Sequence, residues 1–251
     1  MSPVPTLTCA KPLPVYVQIA ELLARQIRAG HWRAGERLPT EADLASSMDV
    51  AVGTLRKALA VLEADGVLER IQGSGTYVRG GLQVGATNGP RSGSSIYEFF
   101  RLELKDALGL PTAQILSVDR LERPVDVPTL GPSAQPSAWR VRRLRFLDAT
   151  PVALEEIWFD ARRVRNLKAT HLGDSMYLYY KTVCNLWISR VEDRIYAATT
   201  PTWSVPEFTV PAGQLAGFIE RTSWTATNEL AEFSKTWFDP QICRYSSRSA
   251  S

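Results

Sequence analysis

The chain has 251 residues, of which 45% are hydrophobic and 22% are charged, and its formal net charge is +3. This composition is typical of soluble globular proteins rather than of disordered chains, and the length favours two domains with packed cores. No apolar run approaches the roughly 20 residues that a helix needs to cross a bilayer, and the N-terminus lacks a signal-peptide pattern. We therefore expect a cytoplasmic protein without a membrane partner.

The first predicted element is an amphipathic helix that ends near Gly30, because glycine commonly follows the last turn of a helix. Its apolar residues recur at helical spacing and place one face toward a core. They are Val15, Ile19, Leu22, Leu23 and Ile27.

Two further helices follow at close spacing. Thr40 can accept a hydrogen bond from a free backbone N–H, and Asp43 can reach back as in a capping box, so a short helix starts at Thr40. Residues 49–51 interrupt the apolar pattern, which then resumes in a second helix. The apolar positions of that helix are Val52, Leu55, Leu59 and Leu62. This order predicts a helix-turn-helix.

The second helix of such a pair enters the major groove of DNA, with its N-terminal residues nearest the bases. The side chains off its apolar stripe are Gly53, Thr54, Arg56 and Lys57. A guanidinium can bind guanine or phosphate, an ammonium neutralises phosphate, and a threonine can contact phosphate or the thymine methyl group.

A wing follows the helices. Strands at 67–71 and 76–78 flank a turn at Gly73-Ser74-Gly75, whose backbone can approach a groove and donate amides to phosphates. The first 80 residues contain nine basic and eight acidic residues, so the placement of the basic residues must provide the binding rather than their number.

Five blocks occur here in the order of one protein family. The blocks PLPVYVQI, GERLPTE, GTLRKAL, LEADGVL and QGSGTYV resemble the N-terminal domain of the GntR family of bacterial transcription regulators. The resemblance implies that Arg37, Thr54 and Arg56 contact the operator. It also implies that Thr40 and Glu41 open the first helix of the pair and that Gly73 lies in the minor groove.

One position departs from the family. Many relatives carry Ser-Arg just after the valine of the turn, where this chain has Ala51-Val52, so one family contact to DNA is missing. The predicted DNA-binding residues are Arg37, Thr40, Glu41, Thr54, Arg56, Lys57, Gly73, Ser74 and Gly75.

Residues 80–95 are rich in glycine, serine and asparagine and predict a flexible linker between a head at 1–79 and a second domain at 96–247. In the second domain, polarity alternates in two strand pairs, which predict two hairpins and an antiparallel sheet. The pairs are residues 139–146 with 152–159 and residues 215–224 with 230–238. Helices are expected at 175–183 and at 96–107.

The second domain resembles the UTRA effector-binding domain of the HutC branch of the same family, a fold similar to chorismate lyase. The matching text is RLR at 143–145, TPVALE at 150–155, SMY at 175–177, EDRIYA at 192–197 and EFSKTWF at 232–238. The predicted fold class is α+β, a winged helix-turn-helix followed by a chorismate-lyase-like domain with a central antiparallel sheet.

The chemistry of these residues predicts an effector site. Arg143 and Arg145 lie two apart on a strand, so they point to one face and can clamp a phosphate or carboxylate. Glu155 on the partner strand can accept from hydroxyls or an amine, and Ser175 opens a helix where an anion is favoured. The predicted effector-binding residues are Arg143, Arg145, Glu155, Ser175, Tyr177, Arg194 and Phe238.

This set fits a small anionic metabolite, such as a sugar phosphate or an amino-acid derivative. Relatives often end the sheet with a tyrosine, where this chain has Trp237-Phe238, so an aromatic face replaces a phenol hydroxyl. Two structural alternatives stay open: an Arg145–Glu155 ion pair across the hairpin, and a solvated charge run at 140–145.

Together the resemblances predict a ligand-responsive transcription regulator, a homodimer that represses from a palindromic operator until its ligand binds. One alternative is a chorismate-lyase-like enzyme, against which stand the presence of only His31 and His171 and the lack of a nucleophile or metal motif. Another is a winged-helix protein that binds DNA without specificity or docks on proteins.

The three cysteines are odd in number and widely separated, which predicts reduced structural thiols and neither a metal nor a cofactor. They are Cys9, Cys184 and Cys243.

Overall fold

A computed structural model describes residues 14–28, 30–79, 101–106, 109–132 and 136–246. The linker predicted at 80–95 lies outside the described residues, so it stays a prediction. One compact unit contains residues 14–79, and another contains 102–105 and the described part of 111–244. Among the residues that the structure describes, none of the helices has the length and apolar composition of a membrane span.

The head has the predicted helix-turn-helix and wing. Its elements are α1 (Val15–Arg28), α2 (Glu41–Ser47), α3 (Val52–Ala64), β1 (Leu68–Ile71) and β2 (Gly75–Val78). The predicted apolar stripes form one core, which includes Ile19, Leu23, Ile27, Leu55, Leu59 and Leu62 and to which Leu44 of α2 also belongs. Val15 differs from the prediction, because it lies in the first turn of α1 and is 55% exposed.

Local chemistry sets the bounds of α2. The Thr40 hydroxyl caps the helix by accepting from the backbone N–H of Asp43 at 3.2 Å. The Asp43 carboxylate in turn accepts from that hydroxyl at 2.6 Å, so it reaches the side chain rather than the backbone N–H of a full capping box. Asp49 adopts a φ of 51°, and the chain turns there into α3.

The wing is a two-stranded hairpin whose register pairs Leu68 with Val78 and Ile71 with Gly75. The segment before α2 adds to it, since Leu38 N donates to Thr76 O at 2.9 Å. This contact ties the start of α2 to the wing.

The second unit is built on a six-stranded antiparallel sheet with the order β4-β5-β6-β9-β8-β7. The strands are β4 (Pro111–Glu122), β5 (Ser137–Leu147), β6 (Thr150–Asp160), β7 (Arg190–Thr199), β8 (Leu215–Trp224) and β9 (Leu230–Phe238). The helix α4 (Met176–Val183) confirms the helix predicted at 175–183. Both predicted hairpins are confirmed as β5–β6 and β8–β9.

The helix predicted at 96–107 is wrong where the structure describes it. Leu102–Leu104 is a strand, β3, that pairs with β10 (Cys243–Tyr245). Leu102 and Glu103 are both buried, and Glu103 accepts from Arg244 at 2.9 Å. Tertiary pairing therefore overrides the local pattern here.

The two faces of the sheet have different roles. One face packs Leu144, Leu154, Phe218 and Trp237 against the segment that contains Phe208. On the other face, α4 contacts polar and aromatic side chains, among them Phe159, whose ring centroid lies 5.2 Å from that of Tyr180. This second face carries the candidate effector site.

Candidate DNA-binding surface and effector site

The predicted DNA-binding residues lie on the wing, on α3 and at the start of α2. Arg56 and Lys57 are exposed because Leu55, Ala58 and Leu59 turn the other side of α3 into the core. Thr54 is half-buried in the first turn of α3.

A cleft of about 430 Å³ lies between the wing and the start of α2. Six of the predicted residues border this cleft: Arg37, Thr40, Glu41, Gly73, Ser74 and Gly75. Arg56 is linked to the cleft through Glu41, whose carboxylate accepts from Arg56 Nε at 2.6 Å. The structure therefore connects seven of the nine residues.

The tip of the wing requires glycine. Gly73 and Gly75 have backbone φ values of 76° and 133°, which residues with a Cβ rarely adopt. A Cβ at Gly75 would lie 2.6 Å from Arg37 Nε, so Arg37 crosses the tip in close contact with the backbone.

Arg70 is a further basic residue at this surface that the sequence patterns did not single out. It lies on β1 and donates to the same Glu41 carboxylate that binds Arg56. Its separation from Glu41 by 29 residues explains why no local pattern could pair them.

The effector residues begin with three side chains of the first hairpin, which we call the arginine clamp: Arg143, Arg145 and Glu155. Arg143 pairs with Glu155 in the register of β5 and β6. Glu155 Oε2 accepts from Arg143 Nε at 2.8 Å and from Arg145 Nη1 at 3.2 Å. The ion pair across the hairpin, held open as an alternative, is therefore present, and the side chains are only 3%, 8% and 14% exposed, respectively.

The clamp stays ionised at neutral pH. Burial alone would raise the pKa of Glu155, but the two guanidiniums outweigh it and lower that pKa to about 2. Burial lowers the pKa of Arg145 to about 10, against the attraction of Glu155. Arg145 thus keeps its charge beside the ionised carboxylate of Glu155.

The start of α4 lies beside the clamp. Arg143 Nη1 donates to Asp174 O at 3.1 Å, and Ser175 caps α4 by accepting from Leu178 N at 3.2 Å. Within the first turn of α4, the Tyr177 hydroxyl bonds to Ser223 Oγ at 3.0 Å. The structure therefore brings Ser175 and Tyr177 to the face that carries the clamp.

Glu232 is a site candidate that the sequence analysis missed. Tyr177 donates to its Oε1 at 3.3 Å, and the residue is only 2% exposed. Burial raises the pKa of Glu232 to about 7, and the charge of Glu155 adds to that rise. Its signal in the sequence was the alternation of polar positions on β9, since 232, 234 and 236 share the face that pairs with Glu155.

Arg194 does not join this group. It pairs with Glu220 on β8, and the same row continues through Lys235 and Glu156 to Arg142. That row lies on the opposite face of the sheet, because neighbouring residues of a strand alternate between faces. Arg194 is exposed there and bonds to Glu220 at 3.2 Å, so the structure does not bring it together with the other predicted effector residues.

Phe238 lies on the clamp face, in the row of Arg145 and Ala153. Its ring covers Gly217, where any Cβ would overlap it. Asp193, the neighbour of Arg194, also faces this side and binds Arg221 through two hydrogen bonds of 2.6 and 2.7 Å.

Other candidate chemistry is sparse in the described part of the chain. No group of three or more histidine, cysteine or acidic residues there is placed to hold a metal ion. Cys184 and Cys243 are buried thiols, and burial raises the pKa of each to about 12, as suits structural residues. Cys9 lies outside the described residues.

Two family models match the chain. The model described as "Bacterial regulatory proteins, gntR family" matches residues 15–78, and the model described as "UTRA domain" matches residues 107–243. The HTH-type transcriptional regulator SmoD of Agrobacterium fabrum is 45% identical over 236 residues, which cover 94% of this chain and 96% of SmoD. MngR, the mannosyl-D-glycerate transport/metabolism system repressor of Escherichia coli, is 31% identical over 190 residues, 72% of this chain and 73% of MngR.

Solved structures agree on the fold. YydK of Bacillus subtilis aligns with a TM-score of 0.50 at 19% identity and covers 95% of this chain and 100% of its own. A ligand-binding domain from Bordetella bronchiseptica aligns with a TM-score of 0.54 at 18% identity, over 61% of this chain and 98% of that domain. The two curated relatives are named as a transcriptional regulator and a repressor, not as enzymes. The chain belongs to the GntR family of bacterial regulatory proteins, carries a UTRA domain, and is a transcriptional regulator.

Proposed function

We propose that this regulator is a homodimeric repressor in the cytoplasm, which binds a palindromic operator and leaves it when a small anionic metabolite binds the sheet domain. The observation that carries the effector part of this proposal is the arginine clamp. Two buried guanidiniums share one carboxylate there, so the three groups together keep one positive charge.

The clamp suits an anion by geometry as well as by charge. Each guanidinium has five N–H donors in a planar fork, which matches phosphate and carboxylate oxygens. Glu155 accepts from both guanidiniums and holds them side by side, so a ligand anion at this position would meet two neighbouring arginines. Such preorganisation lowers the entropy that binding must offset.

The neighbouring groups favour a carbohydrate. Tyr177, Ser223 and Glu232 form a polar network on the clamp face, and hydroxyl and carboxylate groups of this kind bind sugar hydroxyls. The name of MngR points the same way, because mannosyl-D-glycerate is a sugar joined to a carboxylic acid. We therefore place sugar phosphates and sugar acids first and amino-acid derivatives second.

Repression and release follow from linkage. The ligand can release DNA only if it binds more tightly to the arrangement of heads that does not fit the operator. A dimer with two heads matches a palindrome, since two-fold symmetry of the protein requires two-fold symmetry of the site. The flexible linker predicted at 80–95 would let the heads change their spacing.

A mobility-shift experiment tests the proposal. The purified protein is mixed with the duplex upstream of its own operon at about 0.15 M salt, with and without sugar phosphates, sugar acids and amino-acid derivatives. We expect a discrete complex that one of these anions releases. Arg145→Ala should bind the duplex but resist release, whereas Arg142→Ala, on the opposite face, should respond normally. Binding without preference over random duplex would contradict the proposal.

A further inference from the structure

Three elements of the head meet at one carboxylate. Glu41 opens α2, and its two oxygens accept from Arg56 of the recognition helix α3 and from Arg70 of the wing strand β1. The Arg56 bond measures 2.6 Å, and the side chains of Glu41, Arg56 and Arg70 are 26%, 64% and 49% exposed. The carboxylate thus joins the recognition helix to the wing on an accessible surface.

This arrangement contributes little to the stability of the head. Exposed ion pairs of this kind are worth between zero and about 1 kcal/mol, because water screens them and ordering long side chains is unfavourable. The stability of the head therefore does not explain why these three charged side chains are brought together.

The hydrogen bonds leave useful donors on both arginines. Arg56 binds Glu41 through Nε, so both of its Nη groups remain able to donate to a base edge. Arg70 binds Glu41 through Nη2 and stands at the rim of the 430 Å³ cleft, which Arg37 also borders. A phosphate at this cleft would meet Arg70 and Arg37 together.

We propose that Glu41 is a positioning residue for operator recognition, which aims Arg56 at a base and Arg70 at a phosphate, and that Arg70 contacts DNA. The inference rests on the proposed operator binding. Glu41 also reduces the positive charge of this surface, and so weakens the attraction to any phosphate backbone that does not fit.

Two opposite effects are expected from removing the charge of Glu41. Glu41→Gln frees both guanidiniums, so affinity for random duplex should rise about threefold because one more net positive charge faces the phosphates. Operator affinity should fall about tenfold, since the arginines lose their fixed orientation. Arg70→Ala should lower the affinity for both the operator and the random duplex. It should also reduce the slope of log affinity against log salt concentration by about one.

Fluorescence anisotropy of the full chain on operator and scrambled duplexes, over a series of salt concentrations, tests this inference. The matched control is Glu63→Gln, which changes the net charge equally at the exposed C-terminal end of α3. The proposal is supported if Glu41→Gln loses the preference for operator over scrambled duplex while Glu63→Gln keeps both this preference and the wild-type salt slope. The double variant of Glu41 and Arg70 should show less than additive loss on the operator.

The outcomes separate this inference from the proposed function. A wild-type protein that prefers the operator, with Glu41→Gln indistinguishable from Glu63→Gln on both duplexes, would overturn the inference and leave the proposed function standing. A wild-type protein with no preference would overturn both.

Discussion

Glu155→Gln removes the charge that two buried guanidiniums share. Loss of one partner of a buried ion pair usually costs about 3–5 kcal/mol, because the other charge stays buried without compensation. The amide oxygen of glutamine still accepts one hydrogen bond, and Arg143 keeps its bond to Asp174 O at 3.1 Å. We therefore expect a loss near the lower limit, about 3 kcal/mol in the free energy of unfolding.

Urea denaturation at pH 7, followed by tryptophan fluorescence, measures this loss of stability in the sheet domain, which contains Glu155. Trp32 lies in the head and the other six tryptophans lie beyond residue 138, so the signal reports mainly on the sheet domain. Inorganic phosphate should restore part of the stability, since an anion present at 100 times its dissociation constant adds about 2.7 kcal/mol.

The control lies on the same strand but on the opposite face. Glu156 accepts from Arg142 at 2.8 Å and from Trp158 at 2.9 Å, so Glu156→Gln also weakens an ion pair. Phosphate should not restore its stability. An unchanged stability of Glu155→Gln, or equal rescue of both variants by phosphate, would refute the reasoning about the clamp.

Three further changes test the fold and the surfaces. Burial raises the pKa of Glu232 to about 7, so the folded state binds the proton of this carboxyl group more tightly than the unfolded state does. In urea denaturation, the free energy of unfolding should therefore fall as the pH rises from about 4.5 to 7. The variant Glu232→Gln should show a weaker dependence on pH. Thr40→Ala removes the cap bond to Asp43 and should lower the stability of the head by about 1 kcal/mol in thermal denaturation followed by circular dichroism. Gly75→Ala meets a φ of 133° and the side chain of Arg37, so it should weaken operator binding in the mobility shift, and normal affinity would contradict the tight approach at the wing.

The head was predictable because its signals are local. Each signal acts on residues close to it in the sequence. Thr40 caps α2, the spacing of Leu55, Leu59 and Leu62 defines α3, and the glycines form the turn of the wing. Glu41, Arg56 and Arg70 could not be connected in the same way, because only the tertiary fold brings the wing beside α2.

The sheet domain was predictable in its centre and not at its edges. The hairpins β5–β6 and β8–β9 alternate clearly, but the edge strand β7 exposes most of its residues and shows no such pattern. Because its register against β8 was unknown, the face of Arg194 was unknown too. Glu232 was missed for a related reason, since its burial depends on the neighbouring strands β6 and β8 and on α4 rather than on nearby sequence.

The central claim is that one ligand couples the sheet domain to the operator. The most direct test is to measure the affinity of the releasing anion for the free protein and for the protein saturated with operator duplex. Reciprocal linkage requires both affinities to differ by the factor by which the anion weakens DNA binding, about 5–150-fold for typical allosteric coupling. Equal ligand affinity in the two states would contradict the account.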